Sequence, residues 1–340
     1  MIKLWEEKDK YKISVLQPKL TTWIEGAVPS FSHSGSKEQA SRTMQFECVK
    51  ADGKTDFPVG SVVVIYSASN NSEIMRYTIT KKNKQRKSTT IKYTARDIRW
   101  WLTRSKIDKK YENMTAGGIF KDLCNSLGIP IGSVANTGIK FDVLHFIKKS
   151  PWDILITALT ETRKRGGGKF VTKIEGGKLS LVKKVEQAKK WVIEEGVNLI
   201  DATYEESMEE MYTQVKVEGK DSGGKSITAV KSNAAMQKTY GIMQEYITQS
   251  DKSTQADLNK IAAQKLKELS VLQKSGTVTT FGIDGVYSGD AVYVIDKETG
   301  LVGGFYVEAD EHKYSKGYHE MKLTLAWTDE LPSIKYEAPS

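Results

Sequence analysis

The chain has 340 residues, 39% hydrophobic and 27% charged, the balance of an ordinary globular protein with room for two or three cores. It holds no run of about 18 apolar residues, which excludes a transmembrane helix, and Glu6, Glu7 and Asp9 stand where a secretion signal needs its apolar core. The net charge of +9 is concentrated: residues 81–110 carry twelve Lys or Arg against two acids, and the remainder is close to neutral.

Residues 1–104 read as strands. KISVL, RTMQFECV, SVVVIYSA, MRYTIT and TIKYTA are β-branched or aromatic runs separated by Gly, Asn, Ser and Pro clusters, and five such strands predict a small barrel or sandwich. Tyr77 and Ile79 face Ile91, Tyr93 and Ala95 across a polar turn, the pattern of a hairpin. From 105 to 188 the period changes. Ile119, Phe120, Leu123, Cys124 and Leu127 form a helical stripe stopped by Gly128 and Pro130. Ser150-Pro151-Trp152-Asp153 starts a second helix with a hydroxyl cap, a proline in the first turn and an acid against the helix dipole. KFVTKIEGGKLSLVKK then predicts a hairpin turning at Glu175-Gly176-Gly177.

From 189 to 340 strands return in LIDATYEE, MYTQVKVEG, SITAVKS, KTYGIMQEYI, SGTVTTFGI and AVYVIDK, and in the pair GGFYVEADEHKY and YHEMKLTLAW. One helix interrupts them, about 255–269, with Leu258, Ile261, Ala262, Leu266 and Leu269 near one face. The expected fold is mainly β with an α+β insert. Its domains are 1–104, 105–188 and 189–340. The only cysteines, Cys48 and Cys124, sit inside apolar patterns and read as buried free thiols of a protein made in a reducing cytoplasm.

Several motifs invite chemistry. Gly219–Ser226 satisfies G-x-x-x-x-G-K-S, and Val292–Asp296 mimics the apolar run with a magnesium-binding Asp. A phosphate loop requires a helix directly after it, whereas Ile227–Val230 is a β-branched run, so a hairpin tip is expected. His312 and His319, with Asp310 and Glu308 nearby, suggest either a metal site or packing across two strands, and packing is the expectation. His33 and His145 look isolated. No G-x-S-x-G elbow or H-E-x-x-H helix occurs, so no catalytic, cofactor or metal residue is assigned. The basic window is either a solvated surface or a partner interface. Its interface candidates are Lys81, Lys82, Lys84, Arg86, Lys87, Arg99, Trp100, Trp101 and Arg104. Lysines and arginines beside Trp100-Trp101 also fit a nucleic-acid-binding module, the alternative function.

Three segments carry a family resemblance. Tyr93, Asp97, Trp101 and Leu102 stand near the positions of a YD-x-x-x-YL segment that follows a strand pair, although Ala95-Arg96 and the Trp pair depart from it. Ser150, Asp153, Ile154, Leu155 and Ala158, then Gly177, Lys178, Leu179 and Leu181, match a helix and G-K-L-x-L hairpin. Tyr306, Val307, Asp310, His312, Gly317, His319, Met321, Leu323 and Leu325 match a closing hairpin at every position. In these respects the chain resembles the tail hub proteins of contractile phages and phage-like particles, the XkdQ/YqbQ-like family. The resemblance implies two tail-tube-like β-barrel domains around a small helix–helix–hairpin domain. It also implies a homotrimeric baseplate hub in the virion that joins a sixfold tail tube to a threefold spike, with wedge proteins around it, no small-molecule substrate, no cofactor and no catalysis.

Overall fold

Alternation decides the N-terminal strands. The computed structural model of the chain describes residues 11–18, 20–50, 54–67, 71–184, 191–315 and 318–339. Seven strands come first: β1 (Tyr11–Gln17), β2 (Leu20–Trp23), β3 (Ser30–Ser36), β4 (Thr43–Val49), β5 (Val62–Ser67), β6 (Glu73–Lys84) and β7 (Thr90–Arg96). Met44, Phe46 and Cys48 of β4 share one face with Ile91, Tyr93 and Ala95 of β7, as the two-residue period of a strand requires. Val15, Val63, Ile65, Tyr77 and Ile79 join this core, as do Phe31 and Tyr314. β6 and β7 form the expected hairpin.

A 3-10 turn over Ile98–Thr103 leads to β8 (Ile107–Thr115), α1 (Ala116–Ser126), β9 (Ile131–Val134), β10 (Lys140–Lys149), α2 (Pro151–Lys164), β11 (Phe170–Glu175) and β12 (Lys178–Lys183). Thr115 caps α1 through the Gly118 N–H, and Gly128 follows it with a φ of 63°. Ser150 caps α2 through the Asp153 N–H with Pro151 in the first turn, as the sequence pattern required. Gly176 and Gly177, both at positive φ (53° and 74°), close the β11–β12 hairpin. The antiparallel pair β8–β10 and the parallel pairing of β9 on β12 were not expected. From β8 and β10, Tyr111, Phe141, Leu144 and Phe146 turn inward to meet Ile119, Phe120, Leu123, Ile154, Leu155 and Ala158.

The rest comprises β13 (Trp191–Glu194), β14 (Leu199–Ser207), β15 (Gln214–Lys220), β16 (Ser226–Ser232), α3 (Ala234–Tyr240), β17 (Gln244–Lys252), α4 (Gln255–Leu269), β18 (Gln273–Phe281), β19 (Ala291–Ile295), β20 (Val302–Ser315) and β21 (Tyr318–Ala326). The stretch expected as one strand, KTYGIMQEYI, is instead the end of α3, a turn at Gly241 with φ of 86°, and β17. Two compact units result: Met1–Ala202 with Thr277–Ser340, and Thr203–Gly276. In the second, α4 covers Val215, Val217 and Ala229 of a three-stranded sheet with Leu258 and Ala262.

The expected pair of barrels takes a different form. In the larger unit β18, β21, β20, β3, β4, β7, β6, β5, β1 and β2 follow one another in a single sheet, and no sheet among the described residues closes into a barrel. The edge of β3 that closure would use is paired with β20 instead, Ser30–Ser36 running against Ala309–Ser315. The fold is mainly β all the same, with half the chain in strands.

Candidate functional site

The basic window divides once its partners are seen. Lys82 donates to Asp56 at 3.0 Å, and Lys84 pairs with the same carboxylate. Lys92 pairs with Glu47 at 3.0 Å and Lys109 with Asp122 at 2.9 Å. Lys81, Arg86 and Lys87 are exposed and have no ion-pair partner among the described residues. Lys81 also lies at the rim of an open depression of about 470 Å³ on the polar face of β20, β3, β4, β7 and β6, with Lys92 and Lys313.

The 3-10 turn is built on Asp97, which is almost fully buried. Its carboxylate accepts from the Arg42 N–H at 2.8 Å, the Arg99 N–H at 2.9 Å and the Arg99 guanidinium at 2.5 Å. Arg99 is therefore half-buried and committed to a cap. Trp100 is half-buried and Trp101 44% exposed, their rings 4.9 Å apart edge to face, with the Arg104 guanidinium 5.3 Å from the Trp100 ring. The interface candidates thus fall into a free tip (Lys81, Arg86, Lys87), a neutralised flank (Lys82, Lys84) and a surface corner (Arg99, Trp100, Trp101, Arg104).

A second polar constellation lies on the β3–β20 seam. His33 stands directly opposite His312 and Phe31 opposite Tyr314, so the imidazoles stack at 4.7 Å and the other two rings at 4.3 Å. Gly35 faces Asp310, and a Cβ there would lie 2.6 Å from the Arg42 guanidinium, so only glycine leaves room for that side chain. Arg42 Nη1 donates to Asp310 Oδ1 at 2.8 Å, its Nη2 pairs with Oδ2, and Nη2 also reaches His33 Nδ1 at 3.1 Å. The Ser288 N–H donates to Asp310 as well, at 2.6 Å. His33, Arg42, Asp310 and His312 are all buried. His33 is not isolated, as the sequence suggested; its partner is 279 residues away, a distance in sequence that no local pattern bridges.

Electrostatics follow from the geometry. Burial and the adjacent Arg42 charge hold the His33 imidazole well below its usual range. Burial pushes the Asp310 carboxyl upward, but its hydrogen bonds from Arg42 and His312 outweigh that and keep it well below the ordinary carboxylate range. Partners also assign the tautomers. Arginine only donates, so His33 Nδ1 accepts and Nε2–H points to Tyr314 Oη at 3.3 Å. His312 Nε2 faces the Val286 carbonyl at 3.0 Å, so it carries the proton, and Nδ1 accepts from His319 Nε2–H at 2.9 Å.

His33, Asp310 and His312 hold ligand atoms within 4.8 Å of one another, the spacing of a metal site. The donors do not fit one. Asp310 and His33 Nδ1 are taken by the Arg42 guanidinium, which a dication would have to displace into the buried interior. His312 and His319 pack and hydrogen-bond across two strands, while Gly317 of their motif lies outside the described residues.

The G-x-x-x-x-G-K-S stretch is the tip of the β15–β16 hairpin. Asp221 accepts from the N–H groups of Gly223 and Lys225, both at 2.9 Å, so those amides face a carboxylate and no helix follows. Asp296 similarly accepts from the Glu298 and Thr299 N–H groups and ends β19 in a turn.

Comparisons with known proteins agree with this layout. The sequence profile of the YQBQ-like family matches residues 31–326. The chain belongs to the YQBQ-like family. It is 26% identical to YqbQ of Bacillus subtilis (strain 168) over 92% of this chain and 96% of that one. The phage-like element PBSX protein XkdQ of the same organism is also 26% identical, with the same coverage. Among solved structures, the prophage MuSo2 43 kDa tail protein of Shewanella oneidensis has the same fold, with a TM-score of 0.68 at 15% identity over 94% of this chain and all of that one. The YQBQ-like profile spans both residues of the histidine seam and Asp97.

Proposed function

We propose that this chain is a structural protein of a phage or phage-like tail: the baseplate hub that joins a sixfold tail tube to a threefold spike in a contractile particle. The observation that carries the reading is a likeness, over nearly the whole chain, to a prophage tail protein and to a protein of a phage-like element. Three copies would form a ring, with tube protein above and spike and wedge proteins below or around it. Open sheet edges suit such a ring, because unpaired strand groups accept a neighbouring chain. β2 is one, with Leu20 58% and Trp23 52% exposed. The free tip of Lys81, Arg86 and Lys87 suits an acidic partner surface. The chain acts by holding partners in register and makes no bond, and it assembles in the host cytoplasm before lysis.

Immunogold electron microscopy of particles from an induced lysate, with antibody to this chain, tests the reading. Label at the tip of the tail tube, absent from heads and sheath, is expected. Label missing from every particle, with the protein free in the lysate, overturns it and moves salt-dependent DNA binding to the front.

A further inference from the structure

β3–β20 is the one strand pairing, among the described residues, that joins the seven strands before Asp97 to the strands after it. A buried pairing of this kind is ordinarily closed with apolar side chains. Here its centre is filled by His33, His312 and the Arg42–Asp310 pair, with His319 one strand further on. We propose that this seam is an acid-operated latch: proton uptake by His33 releases the strands β1–β7 from β20 while the α1–α2 core stays folded.

The argument rests on where a proton would have to go. Every nitrogen of His33 and His312 is already committed. A proton added to His33 Nδ1 meets Arg42 Nη2, a fixed cation 3.1 Å away. His312 Nδ1 is engaged as well, accepting from the Nε2–H of His319 at 2.9 Å. The surrounding carboxylates have other duties. Asp310 serves Arg42, the Ser288 N–H and, at 3.4 Å, His312 Nε2; Asp97 serves Arg42 and Arg99, and Asp290 accepts from the Tyr287 N–H. Asp284 is accepting from the Tyr11 phenol. The phenols of Tyr11, Tyr77, Tyr287 and Tyr314 are neutral, burial holding each above its usual range. His319 is the exception: its Nδ1 lies 3.8 Å from Asp284, a carboxylate exposed enough to meet it as an ion pair. His312 has the Asp310 carboxylate 3.4 Å from its Nε2, but His33 gains no new partner on charging; opening the strand pairing is what hydrates it.

Direction follows from linkage. The closed seam holds His33 neutral, with its pKa below the ordinary value of about 6.5, while the open seam lets it titrate normally. The open form binds more protons, so closure is complete above about pH 6.5 and weakens as the pH falls below it. The Arg42–Asp310 pair, with Asp310 held low, begins to fail only near pH 4 and lower. The two steps are thus separated in pH.

Hydrogen exchange by mass spectrometry on the full chain between pH 7.5 and 5, expressed as protection factors, tests the latch. Amides of β3 and of Asp310–Tyr314 are expected to lose protection about tenfold per pH unit below about pH 6.5 for each proton taken up, while amides of α1 keep theirs. His33→Gln retains an acceptor for Arg42 and a donor for Tyr314 but cannot charge, and is expected to flatten the slope. Seam protection independent of pH overturns the proposal. So does loss of protection in α1 at the same pH, which is global unfolding. A full slope in His33→Gln overturns it too. Should that variant fail to fold, the wild-type profile of seam against α1 decides by itself. None of these outcomes depends on whether the chain sits in a tail.

Discussion

Asp97 shows how a motif residue does structural work. It is legible in the sequence as the acid after a strand, but its partners, the N–H of Arg42 and the side chain of Arg99, are not. Asp97→Ala leaves the Arg42 N–H buried without an acceptor, removes the cap of the 3-10 turn and strands the Arg99 charge. We expect a loss of about 2–4 kcal/mol in chemical denaturation, with Asp97→Asn recovering part of it. A value under about 0.5 kcal/mol would mean the cap is replaceable. The two cysteines are the easier case, because apolar neighbours in sequence were enough to predict burial. Burial pushes both the Cys48 and Cys124 thiols up to about 12. In the native protein neither thiol should react with a disulfide reagent at pH 8, and both should react in guanidinium. A thiol that reacts without denaturant would contradict the packing.

Elements were readable where their signals are local. α2 declares itself by a hydroxyl cap and α4 by a helical stripe, and α4 spans Gln255–Leu269 as expected. Thr254 accepts from the Asp257 N–H at 3.2 Å while the Asp257 carboxylate accepts from the Thr254 N–H at 2.9 Å, a reciprocal capping box. Thr254→Ala should cost about 1 kcal/mol, read as faster exchange of the first α4 amides. β3 was missed because SFSHSGS has low β-propensity and no apolar alternation beyond Phe31. Its alternation is F-x-H-x-G, matched by D-x-H-x-Y on β20, and the match is visible only once the two are set in register. α3 escaped because none of its residues is buried, so no stripe marks it.

At the scale of the whole molecule, the long-range pairing was the illegible part. Strand faces can be read from alternation, but which edge meets which across nearly 280 residues depends on register and on turn geometry, neither of which a short pattern encodes. Two barrels were expected from the family resemblance, and the strand count of residues 1–104 allowed a barrel or a sandwich there; the β3–β20 pairing spends the edge that closure needs. Residues Thr203–Gly276 behave differently, since their core of Val215, Val217, Ala229, Leu258 and Ala262 is self-contained. Leu258→Ala should therefore cost about 2–5 kcal/mol within that unit and leave exchange in the α1–α2 core unchanged.

Charge at the hairpin tip is also a property of the whole molecule, because its value depends on what the assembled surface meets. Lys81, Arg86 and Lys87 are exposed and without ion-pair partners among the described residues, so replacing all three by Glu should change stability by no more than about 0.5 kcal/mol. If the tip meets an acidic partner in a particle, the same triple reversal should nearly abolish incorporation of the chain into tails. The single reversal at Lys82, whose charge Asp56 already offsets, should do less. Counting the chain in purified particles by quantitative mass spectrometry reads both variants. Equal incorporation of the triple variant and the wild type would place the tip in solvent, and the assembly surface would then be sought along the open edge of β2.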